Sequence, residues 1–96
     1  MNKSQIQAFL ASLFATVNAL PGLAFFPRVR AMIVKIDAAV LSEGAVIFAS
    51  LPETFTAANL IDSLFVWART QWPSELTALE VLQFVVDGVL VAAPSL

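Results

Sequence analysis

Length, composition and charge limit what this chain can do. It has 96 residues, of which 59% are hydrophobic and 12% are charged, whereas ordinary soluble domains are about 45–50% apolar and about 25% charged. A domain of this size has a small interior, so we expect surplus apolar surface to face other protein subunits or lipid. His, Cys and Tyr are absent, which removes the commonest general base, the thiol nucleophile and the soft metal ligands. We therefore expect one non-catalytic domain over residues 1–96 that holds no cofactor and no metal, and the net charge of −2 gives no reason to expect a nucleic-acid partner.

The first predicted element is a helix that begins near Ser4. Ser4 and Gln7 have the spacing of a capping box, and Pro21-Gly22 ends the helix after about Leu20. One face of this segment carries large apolar side chains at helical spacing, namely Phe9, Leu10, Leu13, Phe14 and Val17. We expect this face to contribute to a core.

The same segment permits a different interpretation. No charged residue occurs from position 4 to position 27, and about 20 apolar residues span a bilayer. A membrane anchor over residues 6–26, with the following basic residues on the cytoplasmic side, is therefore the alternative to an amphipathic helix and an aromatic turn. Lys3, the apolar run and Val17-Asn18-Ala19 also loosely fit a secretory signal peptide, although we expect the segment to be retained.

A second helix is predicted to begin at Pro27, because proline suits the first helical position. Its large apolar residues recur at helical spacing and are Val29, Met32, Ile33, Ile36 and Val40. Gly44 is expected to end this helix. Residues 45–51 form an apolar run before Pro52 that fits either a short helix or a buried strand.

The third helix is predicted to run from Thr56, a good N-cap residue, to about Trp72, since Pro73 follows. Phe55 and Leu60 have the positions of a hydrophobic staple across its start. Its main apolar residues lie largely opposite a narrow polar side and are Ile61, Leu64, Phe65, Ala68 and Trp72. We expect this face to join the core as well.

The last helix is predicted to follow Ser74 as its N-cap. Its polar residues form one thin stripe with helical phase, namely Thr77, Glu80, Gln83 and Asp87. Nearly everything else in it is apolar, so we expect this helix to be buried on most sides. Asp87-Gly88 lies between β-branched runs, which favours a β-hairpin as the alternative. The expected fold is an all-α compact bundle of four to five short helices, or α-helices with a C-terminal hairpin around Asp87-Gly88.

The candidate interaction residues are apolar side chains in a turn, along the third helix or in the C-terminal tail. They are Phe25, Phe26, Trp67, Trp72, Leu90 and Leu96. A separate basic cluster of Arg28, Arg30 and Lys35 is a candidate to contact an anion or a lipid headgroup. A solvated surface, or ion pairs with acidic neighbours, is the simpler explanation of that cluster.

Charge is divided unevenly along the chain. Residues 1–40 hold four cations and one carboxylate, a net charge of +3, and residues 41–96 hold one cation and six carboxylates, a net charge of −5. Chance explains this division, or the basic half of one subunit meets the acidic half of another, or one end faces anionic lipid. We expect a structural or assembly subunit in a homo-oligomer or a larger protein assembly, and the alternative is a small membrane protein. The small size and apolar composition would suit a minor viral structural component, although no motif identifies one.

Overall fold

Four α-helices joined by short turns make up the described chain. The structure is a computed structural model and describes residues 1–92. The helices are α1 (Ile6–Asn18), α2 (Pro27–Ile47), α3 (Ala57–Gln71) and α4 (Leu76–Ala92), with 3₁₀ turns at Lys3–Gln5, Pro21–Phe25 and Pro73–Glu75. Residues 1–92 contain no strand, so the all-α prediction is confirmed. The hairpin alternative is wrong, because Asp87 and Gly88 lie inside α4, where Asp87 keeps the helical phase of the polar stripe.

The helices α2 and α4 form the central pair of the bundle. They contact each other, and each also contacts α1 and α3, so their outer sides point in opposite directions. The Cα atoms extend over 37 × 30 × 18 Å, and the shortest dimension fits two layers of helices at the usual spacing of about 8–10 Å. The bundle is therefore a thin slab with α2 on one face and α4 on the other.

The core contains the apolar faces that the sequence predicted. The predicted faces of the first two helices are buried throughout: Phe9, Leu10, Leu13, Phe14, Val17, Val29, Met32, Ile33, Ile36 and Val40. From α3, Leu60, Ile61, Leu64, Phe65 and Ala68 are fully enclosed. No polar or charged residue is buried within residues 1–92, so this core is held by apolar packing alone.

Helix starts follow the predicted capping in one case and depart from it in two. Thr56 caps α3 as predicted, because its Oγ1 accepts from the Asn59 amide at 3.1 Å. At the N-terminus the reciprocal contact lies two residues earlier than predicted, where the Asn2 amide donates to Gln5 Oε1 at 3.0 Å. The reason is the 3₁₀ turn that precedes α1. A second 3₁₀ turn, Pro73–Glu75, contains Ser74 and displaces the start of α4 to Leu76, so Ser74 is not its N-cap.

The helix α2 continues past Gly44, where it was predicted to end. It reaches Ile47 with a kink at Glu43, whose φ and ψ are −129° and 18°. Ile47 and Phe48 are buried, so core packing keeps the chain helical beyond the kink. The strand interpretation of residues 45–51 is therefore wrong.

Residues 6–26 do not form one continuous helix. The helix α1 ends at Asn18, and the 3₁₀ turn Pro21–Phe25 follows it. Of the helices within residues 1–92, none combines the length and the hydropathy that a membrane crossing requires.

Candidate interaction surfaces

An exposed pair of aromatic side chains marks the turn between α1 and α2. Phe25 is 82% exposed and Phe26 is 52% exposed. The turn is anchored by the buried side chain of Leu23, and the Phe26 amide donates to the Leu23 carbonyl at 3.0 Å. Both rings therefore project into solvent from a turn that is held to the core.

Trp67 and Trp72 pack against each other at the C-terminal end of α3. Their ring centroids are 5.5 Å apart and their planes meet at 84°, which is an edge-to-face pair. Lys35 Nζ from α2 lies 5.8 Å from the centroid of the Trp72 ring, a cation–π contact. Both tryptophans are half-buried against the core, so part of their apolar surface is already used within the chain.

The three basic residues do not form one cluster. Lys35 lies on the flank of α2 beside α3, since it contacts the Trp72 ring. Arg28 precedes Lys35 by seven residues and therefore lies on the same flank, whereas helical spacing puts Arg30 on the opposite flank. We call Arg28 and Lys35 the basic row.

The C-terminal candidates have different positions. Leu90 is half-buried and packs against the core. Its neighbour Val91 is 83% exposed. Leu96 lies outside the described residues.

A continuous apolar surface, which the sequence reasoning missed, runs along the outer side of α2. We call it the α2 ridge, and its members before the kink at Glu43 are exposed throughout: Ala31, Val34, Ala38 and Leu41. Val34 is 69% exposed and Leu41 is 73% exposed. The alternating spacing of three and four residues is that of a coiled-coil seam. The signal that could have found it is this second apolar row, which runs in helical phase opposite the core row.

A second apolar surface runs along the outer side of α4. We call it the α4 ridge, and its exposed members are Val81, Phe84, Gly88 and Val91. Phe84 is 80% exposed, and Gly88 leaves a notch beside it, because apart from the adjoining turns of α4 nothing in the described chain lies within 4 Å of where a Cβ would stand. The prediction that α4 is buried on most sides is wrong, since the other helices of the described chain cover its inner side and leave its outer side exposed.

Acidic residues line the α4 ridge on the flank beside α3. That flank is located by Gln83, whose Oε1 accepts from the Arg69 guanidinium and whose Nε2 lies 3.4 Å from Asp62 Oδ1. Burial raises the pKa of Asp87, and repulsion from the Asp62 carboxylate raises it further. Glu80 and Asp87 are seven residues apart on this flank, and we call them the acidic row.

Two grooves of the bundle are lined by few charged side chains. A groove of about 380 Å³ between α1 and α2 is lined by Asp37 with apolar and amide side chains, and burial raises the pKa of Asp37. An open groove of about 610 Å³ lies between the start of α1 and the second half of α2. Within residues 1–92, no group of three acidic side chains converges as a metal site would require.

The two ridges differ in the charged residues that lie beside them. Two apolar ridges lie on opposite faces of the slab, one beside a basic row and the other beside an acidic row. The chain matches no family model, no curated protein and no solved structure.

Proposed function

We propose that this protein is a non-catalytic structural subunit that buries its apolar ridges against other protein subunits in an oligomeric assembly. The observation that carries this proposal is the α2 ridge. A helix on a free surface normally carries charged and polar residues opposite its core face, whereas this row holds only Ala, Val and Leu. An apolar surface of this kind, rimmed by charges, is typical of a protein interface.

Comparing the free energy of side-chain burial with the cost of association favours a contact along a whole ridge. Burying one large apolar side chain such as Leu41 contributes about 1.5–3 kcal/mol. Association costs an estimated 4–15 kcal/mol in lost freedom of motion, so no single side chain suffices. Several exposed side chains in one row, such as Val34 with Leu41 or Phe84 with Val91, provide what a stable contact needs.

Residue types support the non-catalytic part of the proposal. The chain has no His and no Cys, the residues that most often act as general base or activated nucleophile. Asp37 is the one carboxylate among the described residues that line the groove between α1 and α2. The apolar ridges are therefore the exposed features from which a function can best be inferred.

The test is the mass of the purified chain in solution without detergent. Size-exclusion chromatography with light scattering is expected to give a multiple of the 10.3 kDa chain mass. The double variant Val34→Lys/Leu41→Lys should lower that mass. Val66→Lys is the matched control, because Val66 is 58% exposed on the outer side of α3, and it should leave the mass unchanged.

Two outcomes would contradict the proposal. One is a chain that stays monomeric at every concentration and does not bind vesicles. The other is a monomer that floats with anionic vesicles in a flotation assay, since lipid would then cover the ridges in place of protein. Running both assays on the same preparation separates these outcomes from self-association.

A further inference from the structure

We infer that the assembly is built through one repeated contact, in which the α2 ridge of one copy packs against the α4 ridge of a second copy. This inference rests on the proposed function and deepens it. It names the partner, a second copy of this chain, and the two surfaces that meet. The evidence is the spacing, the side-chain sizes, the flanking charges and the placement of the ridges.

The two ridges have compatible spacing and side-chain sizes. Both follow the three-and-four spacing that lets two helices interdigitate along a seam. The α2 ridge alternates small and large residues, as in Ala38 and Leu41, and the α4 ridge has the Gly88 notch between Phe84 and Val91. Facing rows pack well where a large side chain meets a small one, so Phe84 suits an alanine position of the α2 ridge.

The charged rows favour pairing of unlike ridges. The basic row, Arg28 and Lys35, and the acidic row, Glu80 and Asp87, each contain two residues seven positions apart. Both rows lie on the flank of their helix beside α3. When a second copy is stacked in the same orientation, the two flanks coincide and the basic row faces the acidic row.

Antiparallel pairing of like ridges lacks this complementarity. In a two-fold contact between antiparallel α2 helices, the basic row would face itself across the seam. The same contact between two α4 helices would bring Glu80 and Asp87 against their own copies. Like charges facing each other disfavour a contact, so the α2–α4 pairing is the better match.

The placement of the ridges determines the kind of assembly. Because α2 and α4 are on opposite faces of the slab, each copy offers one ridge to the copy above and the other to the copy below. Such a head-to-tail contact is heterologous and generates rings or filaments. The assembly should therefore contain more than two copies.

The experiment is a mixing test with two non-overlapping variants of the full chain. Val34→Lys/Leu41→Lys removes the α2 ridge, and Phe84→Lys/Val91→Lys removes the α4 ridge. Each variant alone should be monomeric, with self-association weakened by about 30-fold or more, as expected when a central interface contact is lost. A mixture should form a 1:1 complex of twice the 10.3 kDa chain mass that grows no further, because each variant keeps the ridge that the other lacks.

Controls test whether the loss of self-association is specific to the ridge substitutions. Val66→Lys should keep the wild-type mass. All substituted positions are exposed, and circular dichroism should show unchanged helix content. If a lysine variant loses helix content, Leu41→Ser and Phe84→Ser serve as the milder pair in the same mixing test.

The possible failures identify what is wrong. If only one ridge variant loses assembly, or if the mixture stays monomeric, the contact does not join unlike ridges, so the inference is overturned while the proposed function stands. If both variants keep the wild-type mass, another surface such as the Phe25-Phe26 turn makes the contact, and the inference is again overturned. A wild-type chain that is monomeric overturns the inference and the proposed function together.

Discussion

The outer sides of α2 and α3 differ, although their inner sides are alike. Both helices turn a row of large apolar residues into the same core. On its outer side, α3 carries polar residues with one exposed valine, namely Asn59, Asp62, Ser63, Val66 and Thr70, whereas the α2 ridge is apolar throughout. The excess of apolar residues in this sequence is therefore concentrated on particular surfaces.

Polar side chains on the outer side of α3 find hydrogen-bond partners within the chain. Asn59 takes part in the cap of α3, Asp62 accepts from Gln83 of α4, and the Thr70 hydroxyl donates to the Trp67 carbonyl at 2.7 Å. The α2 ridge has no polar side chain that could be satisfied in this way. The outer side of α3 is therefore that of an ordinary surface helix, whereas α2 has two apolar sides, of which only one is covered by the rest of the described chain.

The largest expected loss of stability comes from core substitutions, which test whether the inner sides of α2 and α3 contribute equally to the core. Ile36 of α2 and Leu64 of α3 are both completely buried, so Ile36→Ala and Leu64→Ala should each lower the free energy of unfolding by about 2–5 kcal/mol. Urea unfolding at low protein concentration measures this without a contribution from association. A much smaller loss for Ile36→Ala would show that α2 does not share the core with α3.

A smaller effect is expected at the start of α3. Thr56→Ala removes the acceptor for the Asn59 amide and should cost about 1 kcal/mol of stability. Thr56→Ser keeps a capping hydroxyl and is the matched control, with a change near zero. An alanine variant as stable as the wild type would mean that this cap does not hold α3 in place.

The side-chain hydrogen bonds between α3 and α4 should contribute less to stability than the Thr56 cap. Gln83→Ala removes the link from Arg69 and Asp62 to α4 and is expected to cost about 0.5–1 kcal/mol in urea unfolding. Thr77→Ala, at an exposed position of α4, is the control. Equal losses in the two variants would show that Gln83 is no more than another surface residue.

The smallest expected effect concerns Asp37 beside the α2 ridge. Burial raises its pKa above the ordinary value of 3.8, so the folded chain binds more protons than the unfolded chain between 3.8 and the raised pKa. The contribution of Asp37 to stability therefore falls as the pH rises through this window and is constant above it. Asp37→Asn should give a small gain at neutral pH, because the carboxyl is largely solvated, and the gain should vanish below pH 3.8. A gain that grows on acidification would contradict the assignment.

The core and most turns could be predicted from the sequence because local rules decide them. Helical spacing identified the core row of α2, and Pro27 and Thr56 placed two helix starts. The end at Gly44 was wrong because burial of Ile47, a tertiary effect, keeps that segment helical. Ser4 and Ser74 were misplaced as caps because 3₁₀ turns shift the first turn of α1 and α4.

A second apolar row on α2 is visible in the sequence, but which row is core could not be decided, because adjacent apolar residues differ widely in exposure. Ile33 is 1% exposed and Val34 is 69% exposed, while Val40 is 5% exposed and Leu41 is 73% exposed. Hydrophobicity does not distinguish the members of either pair. Only the packing of α2 against the other three helices decides which apolar row becomes core and which becomes surface.

The most direct test of the central claim measures whether protein covers the α2 ridge. The chain has no cysteine, so a single introduced thiol reports on one position. We compare Leu41→Cys on the α2 ridge with Val66→Cys on the outer side of α3 by the rate of thiol labelling. Leu41→Cys should react slowly at high protein concentration and quickly after dilution, whereas Val66→Cys should react quickly in both conditions. A Leu41→Cys rate that does not change with concentration, and that equals the rate of Val66→Cys, would contradict the claim.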